Sequence, residues 1–346
     1  NNNALHTIPA GATVTDSIPA FLKYIPGSVM LNGAAVAAPD TVSFADPVLT
    51  FTFGADATGI QTLTFTTEVL DSYFDQQSQT GFKNTGTLNI GEDGFPGTSG
   101  TVGVGTSLLA KKGIGYDPAT HLITWQLDVN KNGRTITNAV IVDTLGANQV
   151  FDAAFGVERD GVAMAASSYT YVGNTLTITL GNLTPTDQPV IVFKTRVTNP
   201  VDYANNKTTT YYNAKAVLSG GGITDSVVTN PSQSVKSTVI AKASTAYNYE
   251  TRTISWRVTV NQNKMDMPNA IVTDTIPAGQ EYVTGSMLID SVAAETKLSV
   301  SGNVLTVTLG HITDQVVITF DTHVTDDDVF LETNGEVTFK NDASLS

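Results

Sequence analysis

The chain has 346 residues, 18 Lys and Arg against 32 Asp and Glu, a formal net charge of −14, no Cys and 41% hydrophobic residues. That charge argues against nucleic acid or an anionic membrane as partner, since both select basic patches, and the lack of Cys excludes disulfides, a thiol nucleophile and thiolate metal sites. No apolar run approaches the roughly 20 residues of a membrane span, the first residues lack a signal-peptide layout, and the length predicts two or three domains.

Taken in chain order, the predicted elements are nearly all strands. Val14-Thr15-Asp16-Ser17-Ile18-Pro19-Ala20 leads, followed by Tyr24-Ile25-Pro26-Gly27-Ser28, a strand ending near Gly54, the strand Leu63–Val69, and the pair Phe82/Asn84. Lys111 then precedes the strand Leu122–Val129, which alternates apolar and polar residues around Trp125 and reads as half-buried. Ile141-Val142-Asp143-Thr144-Leu145 repeats the opening motif loosely, and a strand ending at Gly181, the strand Ile191–Val197 and Tyr211/Asn213 follow it. After a Ser219-Gly220-Gly221-Gly222 hairpin the series runs a third time. It comprises Lys242, the Trp256 strand, Val272–Ala278 with Asp274, Gly310, Ile318–Val324 and Phe339/Asn341. Asp16, Asp143 and Asp274 stand 127 and 131 residues apart, a period long enough for a whole domain.

The pattern predicts an all-β protein of three tandem Ig-like antiparallel sandwiches. The expected units are 1–103, lacking its N-terminal strands; 104–233, complete; and 234–346, lacking its final strands. The shortfall at both ends predicts an excerpt of a longer repetitive chain, with upstream residues or a neighbouring subunit completing the first unit.

Strand parity sets three polar residues among apolar neighbours in each of the last two copies. Lys111 shares a face with Leu109, Asp143 with Ile141, and Asn213 with Tyr211 and Val217; Lys242, Asp274 and Asn341 repeat the arrangement. Burial lowers a lysine pKa and raises that of an aspartate. A neutral amine is a nucleophile, and a protonated Asp can polarise the Asn carbonyl and pass protons to departing ammonia. The product is a Lys–Asn isopeptide cross-link inside one domain.

Lys on the first strand, Ile-x-Trp-x-Val-x-Val-Asn (with Leu127 for one Val in the middle copy), a strand ending in Asp and aromatic-x-Asn near the end resemble the collagen-adhesin-type (Cna-like) domains of Gram-positive surface proteins. The resemblance implies Ig-like folds, cell-wall-anchored extracellular proteins, and isopeptide bonds Lys111–Asn213 with Asp143 and Lys242–Asn341 with Asp274. In the first copy Asp16 and Asn84 match, but Lys23 and Lys83 lie on the wrong strands and the set is incomplete. The expected role is a structural stalk or fibre segment; the alternative is an adhesin region gripping collagen or another extracellular host or matrix protein. Expected partners are accordingly a host or matrix protein or neighbouring subunits in a fibre, with no membrane insertion. His6, His121, His311 and His323 have no zinc-ligand spacing, Asp326–Asp328 and Glu92–Asp93 no EF-hand pattern, and Gly100–Gly105 fits no nucleotide loop. No cofactor, no metal and no enzyme active site are therefore expected.

Overall fold

The computed structural model describes residues 7–77, 79–331 and 337–346; His6 lies outside them. The chain is all-β, built of antiparallel ladders around three separate apolar clusters. Strands form where the sequence alternates: Leu122–Val129 sends Ile123, Trp125, Leu127 and Val129 inward and its other side chains outward.

In the middle of the chain one sheet runs Leu109–Asp117, Leu122–Val129, Val190–Val197, Val157–Arg159, Val162–Ala163. The facing sheet runs Tyr169–Val172, Thr175–Leu183, Ile136–Thr144, Lys215–Gly221, Ser226–Thr229. Trp125, Phe193, Ile141, Leu176 and Leu218 fill the space between them, and each is fully buried. The C-terminal stretch repeats the plan with Ile240–Asn248, Thr253–Val260 and Val316–Val324 on one side. Its other sheet runs Leu298–Ser301, Val304–Ile312, Met267–Thr275, Asp342–Leu345.

The N-terminal stretch keeps the second sheet intact, as Asp93–Thr98, Thr85–Ile90, Thr13–Ser17, Val48–Thr52, Thr41–Ala45. Opposite it, among the described residues, stand short ladders: Leu22–Tyr24 with Thr67–Val69, and Met30–Leu31 with Leu63–Thr64 and Ala34–Ala35.

Two local expectations are corrected. Gly181 and Gly310 do not end their strands: with φ of 76° and 77° they sit at bulges, and the strands run on to Leu183 and Ile312. Val217 does not share the face of Asn213. The chain is irregular at Asn213 and Ala214, whose amides bond to the Pro231 and Thr144 carbonyls, so Ala216 and Leu218 point inward instead.

Candidate functional site

The three polar residues of the middle copy converge inside the core. Lys111 is the third residue of its strand, two after buried Leu109, and its side chain is 0% exposed. Asp143 lies on the central strand of the opposite sheet, equally buried, and the Lys111 Nζ donates a hydrogen bond to its Oδ2. Nζ also lies 4.8 Å from the Phe193 ring centroid and 5.3 Å from that of Trp125, so two aromatic faces wall it in. Trp125 is held in turn, its Nε1 donating to Thr195 Oγ1 at 2.9 Å, whose hydroxyl donates to Gln149 Oε1 at 2.8 Å. Asn213 has no exposure, and both atoms of its amide lack a hydrogen-bond partner, as does Asp143 Oδ1.

Electrostatics follow from the burial. Desolvation drives Lys111 from 10.5 down to about 8 against the pull of the Asp143 carboxylate. Desolvation likewise raises Asp143, while Lys111 and, more weakly, the facing Asn213 amide hold it back. That amide offsets part of the Asp143 shift without reaching hydrogen-bond geometry. Both shifts favour the neutral amine and the protonated acid. Leaving buried amide atoms unpaired costs about 1–3 kcal/mol per group, which a structural Asn in a dry core does not recover.

The C-terminal copy rebuilds the site atom for atom. Lys242 Nζ donates to Asp274 Oδ2 and lies 4.9 Å from the Trp256 ring centroid and 5.2 Å from that of Phe320. Trp256 Nε1 donates to Thr322 Oγ1 at 2.9 Å, which donates to Gln280 Oε1 at 2.6 Å. Asn341 again has both amide atoms buried and unpaired. Desolvation lowers Lys242 and raises Asp274, each opposed by the other. In the N-terminal copy Asn84 Nδ2 donates to Asp16 Oδ2 at 3.0 Å, and no lysine pairs with Asp16 among the described residues. Burial raises Asp16, with Asn84 opposing.

Sequence reasoning did not single out the aromatic wall and its support. Phe193 with Thr195 and Phe320 with Thr322 were legible as the repeated Phe-x-Thr of the strands Ile191–Val197 and Ile318–Val324. It also missed a repeated joint between successive sandwiches. Gln77 Oε1 accepts from the Leu108 and Leu109 amides at 2.7 and 3.1 Å, and its Nε2 donates to the Leu109 carbonyl at 2.7 Å. Asn206 does the same for Val239 and Ile240, at 2.6, 3.1 and 2.7 Å. Beside them Asn132 Nδ2 donates to the Phe74 carbonyl at 2.8 Å and Asn263 Nδ2 to the Tyr203 carbonyl at 2.7 Å. The signal was the second Asn of Val-Asn-x-Asn, at 129–132 and 260–263.

Residues 106–228 and 237–346 each match the family described as collagen binding domain. No curated protein matches the chain. Among solved structures, the collagen binding domain of Erysipelothrix rhusiopathiae surface protein RspB is 17% identical, with 68% of this chain and 83% of that one covered and a TM-score of 0.26. The collagen-binding domain of a Staphylococcus aureus adhesin is 16% identical, with 38% and 99% covered and a TM-score of 0.27. The full-length major pilin SpaD of Corynebacterium diphtheriae is 14% identical over 92% of this chain and 75% of its own, with a TM-score of 0.29.

Proposed function

Starting from a chain that belongs to the collagen binding domain family, we propose that it is a stalk or fibre segment of a bacterial surface protein, its sandwiches dividing near residues 103 and 233 and two of them locked by Lys–Asn isopeptide bonds. The observation that carries this reading is the duplicated site: buried Lys on buried Asp, between a Trp and a Phe, beside an Asn whose amide has no other partner.

The chemistry follows from the burial. With the pair's proton on Asp143, the Lys111 amine attacks Cγ of Asn213 while the acid polarises the amide oxygen. The Cγ–Nδ2 bond breaks, the attacking nitrogen gives up a proton through the carboxylate, and ammonia leaves. The aromatic walls exclude water that would compete as nucleophile, and fixed geometry replaces a bimolecular encounter. Each site reacts once on its own side chains, so the role is covalent reinforcement with no turnover. The matching joints at Gln77 and Asn206 support a rod of fixed pose rather than beads on a flexible string.

An intact mass tests the proposal: the folded chain should weigh two ammonias less than its sequence, and Asp143→Ala should restore one of them. A full sequence mass in folded wild type sinks the cross-links. The family's description favours a second reading, in which the segment itself grips collagen at the cell surface. Saturable binding of the wild-type chain to immobilised collagen would establish that role; none would leave the stalk reading alone.

A further inference from the structure

The hydrogen-bond chain behind Trp125 does not end at Gln149. Gln149 Nε2 donates to the Tyr212 carbonyl at 2.9 Å, and that carbonyl belongs to the peptide leading into Asn213. One buried path therefore runs from the indole that walls the amine, through Thr195 and Gln149, to the backbone that carries the amide. Two further bonds hold the far side of that backbone. The Asn213 amide donates to the Pro231 carbonyl at 2.9 Å and the Ala214 amide to that of Thr144 at 3.1 Å. The Asn213 side chain has no hydrogen bond of its own, so its aim depends on how its backbone is fixed.

The other copies show that the fold does not require the Gln149–Tyr212 bond. Gln280 occupies the same place, pairing with Val324 as Gln149 pairs with Val197, and it accepts from Thr322 in the same way. Its Nε2 is buried, yet has no partner among the described residues. In the N-terminal copy the place belongs to Leu22, which pairs with Val69.

The difference traces to one residue of the preceding turn. Gly146, three residues after Asp143, passes so close to Tyr212 that an added Cβ would lie 1.7 Å from its carbonyl oxygen and 3.1 Å from Gln149 Nε2. Three residues after Asp274 and Asp16 stand Pro277 and Pro19. A proline ring at that place keeps the asparagine segment from approaching as Tyr212 does, and the amide of Gln280 is left without its acceptor. Asn341 is correspondingly 8% exposed where Asn213 is 0%, and the Lys242 side chain 7% where that of Lys111 is 0%.

We propose that Gln149 is a positioning residue for the Lys111–Asn213 bond: it ties the Tyr212–Asn213 peptide to the Trp125 wall, so that Asn213 Cγ stands in the path of the amine before reaction begins. Lys111 Nζ then bonds to Cγ as the Cγ–Nδ2 bond breaks and ammonia leaves; Gln149 itself exchanges no proton. Without this tie the C-terminal site reacts more slowly, and the chain matures in order, middle sandwich first. A misplacement of about 1 Å costs on the order of 10²-fold in rate, and losing one of three ties should cost about tenfold.

The proposal rests on the cross-linking reading, and one experiment separates the two. The full chain is made by cell-free synthesis, translation is stopped, and samples quenched at intervals are digested and weighed, which gives the rate of ammonia loss at each site. In wild type the middle site should react several times faster than the C-terminal one. Gln149→Met, of similar length but without the donor, should slow the middle site about tenfold and leave the C-terminal rate as it was. A residue that merely stiffened the core would lower Tm and leave the ratio of the two rates unchanged. Hydrogen exchange at Leu122–Val129 reports whether the variant folds. If it does not, Thr195→Val frees Gln149 Oε1 with little change of shape and carries the same expectation. A folded variant whose middle site reacts within about twofold of wild type overturns the proposal and leaves the cross-links standing, as does a wild-type C-terminal site as fast as the middle one. No ammonia lost at either wild-type site overturns the cross-linking reading, and this proposal with it.

Discussion

Replacing Asn213 with Ala isolates the covalent bond from everything else at the middle site. The Lys111–Asp143 pair, its aromatic walls and the Trp125–Thr195–Gln149 chain all remain, and the deleted amide makes no hydrogen bond to lose. Lys111→Ala is a worse probe, because it also strands Asp143 as a buried acid without its partner. A bond from Lys111 to Asn213 closes a loop of about 100 residues, for which chain entropy gives about 4.7 kcal/mol at 25 °C. The sandwich corresponds to the match at 106–228. At about 2.1 cal/mol/K per residue its unfolding entropy is near 0.26 kcal/mol/K, so Tm should fall by about 18 °C. Calorimetry on the full chain resolves this, because only the transition of the middle sandwich should move. A shift below about 5 °C, in protein whose wild type has lost its ammonia, refutes the claim that the bond stabilises by constraining the unfolded chain.

The same variant has a pH signature. Its free Lys111 has a folded value of about 8 against 10.5 for an unperturbed lysine, so between those values the unfolded chain binds more protons. Stability from this group must therefore rise with pH across that window. The wild-type amide cannot titrate there, and parallel Tm–pH profiles of the two proteins would contradict the assignment. At the joints, Asn206→Ala and Asn263→Ala each remove hydrogen bonds worth about 1 kcal/mol apiece. Small-angle scattering should then show a broader spread of interdomain distances than in wild type, and an unchanged spread rejects the rod. Under force, the cross-linked middle sandwich should extend only by the segments outside the bond, residues 104–110 and 214–233, or roughly 90 Å at about 3.4 Å per residue. Asn213→Ala should lengthen by several times more, and equal extensions rule out a mechanical role for the bond.

What the sequence disclosed and what it withheld divide along one physical line. Period-two alternation around Trp125 and Trp256 announced strands, and triplication of Asp16, Asp143 and Asp274 announced tandem sandwiches, because both are repeats in sequence. The reactive sets were legible for the same reason: each of their three residues recurs in register, and parity puts each on an apolar face. Parity failed at Val217, where the irregular step at Asn213 and Ala214 reverses the facing of the following strand; no alternation rule sees a backbone step. It also failed at Gly181 and Gly310, where a glycine at positive φ marks a bulge within the strand and not its end. Gln149 stayed hidden, and the repeated Phe-x-Thr of Phe193 and Thr195 did not disclose its part, because both depend on which strands become neighbours in the sheet, which no spacing reports. The first sandwich shows how the two kinds of information combine. Sequence says that Asp16 and Asn84 have no lysine; structure adds that a hydrogen bond of 3.0 Å joins the two and that the second Asp16 oxygen is buried without a hydrogen-bond partner.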